Sequence, residues 1–172
     1  MKLQFAPLAI ALLTMPWLAA AQTTTLSVVV GPEASLTVGT GTTSLTSGST
    51  NFSGTFNGTT NLTYMIRTTK VSGSGTITAK VTTDFTAGGP SVTTPPTAGD
   101  TLTYVPTVST PGTAAASQTA STSAYTPVAT FGPAANSAKA GNSASVAWAL
   151  TDDPLYATGT YTATTTFAIS SL

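Results

Sequence analysis

Across residues 76–82 apolar and polar side chains alternate without a break, with Ile77, Ala79 and Val81 on one face and Thr76, Thr78, Lys80 and Thr82 on the other. A period of two predicts a half-buried β-strand. Residues 61–68 repeat the pattern, Leu62, Tyr64 and Ile66 standing against Thr63, Met65 and Arg67. The Gly73-Ser74-Gly75 stretch between the two segments predicts a turn that joins them as a hairpin. Residues 145–150 set Val146, Trp148 and Leu150 against small side chains, and residues 160–170 do the same with Tyr161, Ala163, Thr165, Phe167 and Ile169. Asp152, Asp153, Pro154 and Gly159 punctuate these as a second pair. Near the N-terminus Leu26, Val28 and Val30 alternate ahead of Gly31 and Pro32, and Leu36 and Val38 resume the alternation. Shorter strands are expected at 51–56, 101–105 and 128–131.

Seven to nine short strands, with turn residues between them and no apolar stripe of period 3.6, predict an all-β protein built as an antiparallel β-sandwich. An Ig-like arrangement is the first expectation and a jelly roll the alternative. Residues 86–100, rich in Gly and Pro, and 106–126, rich in Ser, Thr and Ala, are expected as loops or irregular excursions.

Residues 1–21 read as a signal peptide. Lys2 gives the positive start, residues 3–18 are mostly apolar, and Ala19, Ala20 and Ala21 supply a small-residue cleavage site. Pro7 and Pro16 interrupt the run, which falls short of the roughly 20 apolar residues of a membrane span. No later stretch is long enough to cross a bilayer, so no transmembrane segment is expected after cleavage. The mature chain, 22–172, is expected to form a single domain large enough to fold without disulfides. Of its 151 residues 57 are Thr or Ser, and β-branched Thr adds to the case for strands.

Composition removes whole classes of chemistry. The chain has no His and no Cys, so imidazole-based triads, His or Cys metal centres and thiol redox chemistry are excluded. Five basic residues balance five acidic ones, which offers a phosphate backbone no net attraction; nucleic acid is not an expected partner. Glu33, Asp84, Asp100, Asp152 and Asp153 are the carboxylates available as acid or base. No spacing among them forces a catalytic pair together. Asp152 and Asp153 precede Pro154 and read as turn formers, with a calcium site as their functional alternative. The expectation is therefore a non-enzyme, with no catalytic, cofactor-binding or metal-ligating residue assigned.

Asn51, Asn57 and Asn61 each begin an acceptor sequon, as a Thr-rich chain produces by chance. Trp148 is in phase with Val146 and Leu150 and is expected in the core; Tyr64, Tyr104 and Tyr161 share strand faces with Leu62, Leu102 and Phe167 and are expected there too. Tyr125 and Tyr156 fall in loops, a thin platform for a glycan-binding module.

The stretch 157–169, Ala-Thr-Gly-Thr-Tyr-Thr-Ala-Thr-Thr-Thr-Phe-Ala-Ile, resembles the closing strand of secreted bacterial sandwich domains such as the spore coat protein U family and related pilin-like subunits. The resemblance implies an extracellular structural role, with assembly into surface filaments, and it carries no site residues. The resulting expectation is a secreted structural or adhesive protein of the bacterial cell surface, self-associating through edge strands. An extracellular glycan-binding module, with surface glycans as partners, is the alternative. Residues 23–30 can complete the chain's own sheet or a neighbour's, and the short tail before Leu26 favours its own.

Overall fold

The computed structural model describes residues 23–172; the expected signal peptide lies outside them. The described residues form ten strands and no helix: β1 Glu33–Val38, β2 Thr46–Ser47, β3 Thr55–Arg67, β4 Gly75–Thr83, β5 Leu102–Val108, β6 Thr113–Ala114, β7 Gln118–Thr119, β8 Thr126–Phe131, β9 Asn142–Thr151 and β10 Thr164–Ser171. They build two antiparallel sheets. One runs β1-β3-β9-β5-β7, with β2 also on β3; the other runs β10-β4-β8-β6. The sheets pack face to face over one core, an antiparallel β-sandwich. No helix among the described residues is long and apolar enough to cross a membrane.

Alternation fills the core. Leu62, Tyr64 and Ile66 of β3, Ile77, Ala79 and Val81 of β4, Leu102 and Tyr104 of β5, Val128 and Phe131 of β8, and Val146, Trp148 and Leu150 of β9 are all buried. Their in-between neighbours face outward and are mostly Thr, Ser and Ala, as expected where each sheet has one wet face.

Both expected hairpins are absent. β3 pairs with β1 and β9, whereas β4 pairs with β10 and β8. β9 and β10 likewise lie in different sheets. From β3 onward every connection carries the chain from one sheet to the other. The Gly73 region is a crossover rather than a hairpin turn: Ser72 takes a positive φ of 60°, and Gly73 packs onto the backbone of Thr69. The last residue closes over it, the Leu172 N–H donating to the Ser74 carbonyl at 2.8 Å and the Thr69 N–H to the Leu172 carbonyl at 3.0 Å.

Three strands differ in extent from expectation. The segments expected at 51–56 and 61–68 are parts of one strand of 13 residues. Gly58 lets them join, because the chain at Ser44 and Leu45 crosses where its Cβ would be. β5 continues through Pro106 to Val108, into the stretch expected as a loop. Beyond Tyr104 it is paired with β9 alone, an edge position where a proline without an N–H is tolerated. β10 begins at Thr164 rather than 160, so Tyr161 is off the strand face assigned to it. Its single hydroxyl proton is instead shared between the Ala157 carbonyl at 2.7 Å and the Gly88 carbonyl at 3.0 Å, holding two loops together.

Candidate functional site

A ligand platform for sugars needs exposed rings, and most aromatic residues of the described chain are instead structural. Trp148 is buried, its Nε1 donating to the Thr60 hydroxyl at 2.9 Å. It tilts against Tyr104 at 5.0 Å and Phe167 at 6.4 Å between ring centroids. The Tyr104 hydroxyl donates to Thr126 Oγ1 at 2.7 Å, and burial, opposed by that bond, pushes its pKa up. The Tyr64 hydroxyl donates to the Ser109 carbonyl. Tyr125 is exposed as expected of a loop residue, with the Lys80 ammonium 5.7 Å from its ring centroid, and Phe52 is exposed in another loop. Neither lines either of the two described depressions. The larger described depression, about 420 Å³, lies instead where residues 30–32 meet Arg67, Lys70 and Asn136.

The five carboxylates do three different things. Glu33 accepts a hydrogen bond from Arg67 at 2.9 Å on an exposed surface, the one ion pair among the described residues. Asp84 organises the loop after β4. Its Oδ1 accepts the Phe85 and Val92 N–H groups at 2.8 Å each, and its Oδ2 accepts the Ser91 hydroxyl at 2.8 Å and the Thr93 N–H at 3.1 Å. Burial alone would raise its pKa, but the bonds from Val92, Ser91, Phe85 and Thr93 outweigh it and hold the carboxyl below its ordinary 3.8. The stabilisation is therefore fully present above pH 3.8 and is lost as pH falls through the lower folded-state value. Asp84→Ala is expected to cost about 1–2 kcal/mol in urea denaturation at neutral pH, with the difference from wild type shrinking in acid. An unchanged midpoint at neutral pH would refute this.

Asp100, Asp152 and Asp153 gather at the junction of the 84–101 loop, the end of β9 and the β9–β10 connection. Asp153 serves the turn as expected, its Oδ1 accepting the Leu155 N–H at 2.8 Å. Its nearness to Asp100 was not legible, since the two are far apart in sequence. Their carboxyls lie within hydrogen-bonding reach of each other, so burial and the Asp153 carboxyl push Asp100 up. The Thr97 hydroxyl and the Leu155 N–H hold Asp153 down. Burial, with Asp100, Asp153 and Asp152 all close, pushes the Tyr156 phenol up to about 12.

The other unusual feature is the N-terminal segment. Residues 23–32 form no strand, correcting both the strand expected from the alternation of Leu26, Val28 and Val30 and the expectation that residues 23–30 complete the chain's own sheet. β1 and β3 are paired from Val38 opposite Leu62 to Glu33 opposite Arg67, where β3 ends. Residues before Glu33 run past that end and have nothing to ladder with. Leu26 is 91%, Val28 83% and Val29 94% exposed. The chain is fastened only nearby, where Arg67 Nε donates to the Gly31 carbonyl at 2.7 Å.

β10 is a full-length edge strand. It pairs with β4 on one side only, and its sequence, TTTFAISS, contains no charge and no proline. β1, the edge of the other sheet, lies against it across the sandwich. Along this side the inward-facing Leu36, Phe167 and Ile169 are only partly buried, whereas Val128, Ala129 and Ala120 toward the opposite side are fully covered. The sandwich is thus open along the β1/β10 seam. No family model, curated protein or solved structure matches the chain.

Proposed function

We propose that the chain is an exported, non-enzymatic structural subunit of the bacterial cell surface that assembles by lending residues 23–30 to the β10 edge of a neighbouring copy. The observation that carries this reading is the pairing mismatch at the N-terminus. An alternating apolar segment stands exposed beyond the end of its own sheet, while an unguarded edge strand of similar length flanks a half-covered apolar seam. Leu26, Val28 and Val30 recur at every second position, so in an added strand they share one face. Laid beside β10, that face covers Phe167 and Ile169, and each apolar side chain buried contributes about 1.5–3 kcal/mol. Main-chain hydrogen bonds along β10 add affinity without requiring charge, which suits a chain with so few charged residues. Edge strands of monomeric proteins normally carry Lys, Pro or a bulge against such pairing; β10 has only an irregularity at Thr164 and Thr165.

The glycan-binding alternative draws on Tyr125 and Tyr156; the Tyr156 hydroxyl is buried, and Tyr125 lines neither of the two described depressions.

Removing residues 23–30 from the mature chain tests the assembly. Light scattering and electron microscopy are expected to show concentration-dependent multimers for the full mature chain and a folded monomer for the truncated one. A truncated chain that unfolds at every concentration would place the segment in its own core. One that assembles as before would assign assembly to another surface, and either result overturns the proposal.

A further inference from the structure

Two of the five carboxylates of this chain, Asp100 and Asp153, meet at one junction with Asp152 nearby, and among the described residues no Lys or Arg is paired with them, the one ion pair lying elsewhere. The Asp100 and Asp153 carboxyls are within hydrogen-bonding reach of each other. A second observation is independent of that clustering. Asp153 is 6% exposed, and its Oδ2 is buried with no well-aligned hydrogen bond, although the Thr97 hydroxyl lies close enough to the carboxyl to favour its charged form. The Tyr156 hydroxyl beside the same carboxylates is also buried and unpartnered. Buried polar atoms left without a partner are costly, and each one calls for a physical explanation.

We propose that this junction binds a calcium ion, held by the Asp100 and Asp153 carboxylates with the Tyr156 hydroxyl and loop carbonyls completing an all-oxygen shell. The side chains that meet here, Asp100, Asp153, Tyr156 and Thr97, offer oxygen alone, the donor a hard cation takes, and loop-borne ligands suit the variable geometry of calcium better than the strict octahedron of magnesium. No group of three or more acidic residues converges closely enough among the described residues to form a carboxylate cage. The site therefore has two charged ligands and belongs in the weak range of extracellular modules, with a dissociation constant of about 10⁻⁴–10⁻³ M. Asp152 stays outside the shell: its N–H donates to the Gly54 carbonyl, and its Oδ2 accepts the Ser47 hydroxyl at 3.4 Å. It still adds negative charge to the surroundings.

A bound ion ties the 84–101 loop to the end of β9 and to the connection that leads into β10, so it braces the approach to the edge strand. The rival explanation is a proton shared between Asp100 and Asp153, which also relieves their repulsion but involves no metal.

The mature chain, stripped with a chelator and titrated with calcium chloride against a magnesium chloride control, separates the two. Calcium is expected to raise the melting temperature by about 3–5 °C at tenfold excess over the dissociation constant, with little effect of magnesium. Terbium used in place of calcium is expected to emit when the tyrosines are excited, and Tyr156→Phe is expected to weaken terbium binding. Asp100→Asn mimics the protonated member of a shared-proton pair. It is expected to fold and to lose both the calcium shift and the terbium signal. A melting temperature unmoved by about 10 mM calcium, tenfold the weaker end of that range, or a shift kept in full by Asp100→Asn, overturns the proposal. Should Asp153→Asn fail to fold, the Asp100→Asn result decides alone.

Discussion

Replacing Trp148 by Ala is expected to destabilise the protein by about 3–5 kcal/mol, the range of a large aromatic side chain lost from a packed core. Trp148 lies on the central strand β9, between β3 and β5, and touches the rings of Tyr104 in its own sheet and Phe167 in the other. Truncation removes contact area from both layers. It also takes from the Thr60 hydroxyl one of its two partners, the indole N–H, leaving only the 2.7 Å hydrogen bond with Thr43. Urea denaturation measures the loss as a lower midpoint at unchanged slope. In wild type the emission of Trp148 is expected to be blue-shifted and to move red on unfolding. A loss below 1 kcal/mol would show that the two sheets do not depend on this contact.

Gly73→Ala is the second large effect, about 3 kcal/mol, at the upper end of what overpacking costs. A Cβ here would clash with the Thr69 carbonyl oxygen and stand 2.6 Å from the Thr69 nitrogen. Both are backbone atoms, so no rotamer change relieves the clash. The residues that would have to shift carry the hydrogen bonds from Thr69 and Ser74 to Leu172, and the damage reaches the end of β10. Gly31→Ala is the control: open space surrounds it, and its stability is expected to be unchanged within about 0.5 kcal/mol.

These two positions also mark where sequence reading succeeds and where it stops. Trp148 in phase with Val146 and Leu150 was legible because a period of two states which side of a strand is buried. The same signal located the cores of β3, β4, β9 and β10. It says nothing about which strand lies alongside, because burial does not encode register. Gly73 looked like a hairpin turn, and only the pairing of β3 and β4 with different partners shows that the chain is changing sheets. The two-residue strands β2, β6 and β7 are too short to show a period at all. Residues 23–30 have a strand's pattern but lack a partner within the chain, since β3 ends at Arg67. At the acidic junction Asp153 announced a turn next to Pro154, but the arrival of Asp100 depends on the path of the 84–101 loop. Asp84 was invisible for a related reason: its value lies in four donors that the loop folds back to deliver.

The passage of the chain from sheet to sheet at every connection after β3 has a kinetic consequence. A hairpin can form early because its strands are already neighbours, but here Thr60 must find Val146, and Thr78 must find Ala168. Nearly every ladder closes a long loop before it gains contacts, which places folding in the millisecond-to-second range of all-β domains rather than the microseconds of helical bundles. During that interval every strand, not β10 alone, presents an open edge, and uncharged Thr-rich edges offer little resistance to pairing with the wrong chain. A chaperone that shields those edges until β9 and β10 have docked would raise the yield of native protein without altering its final stability.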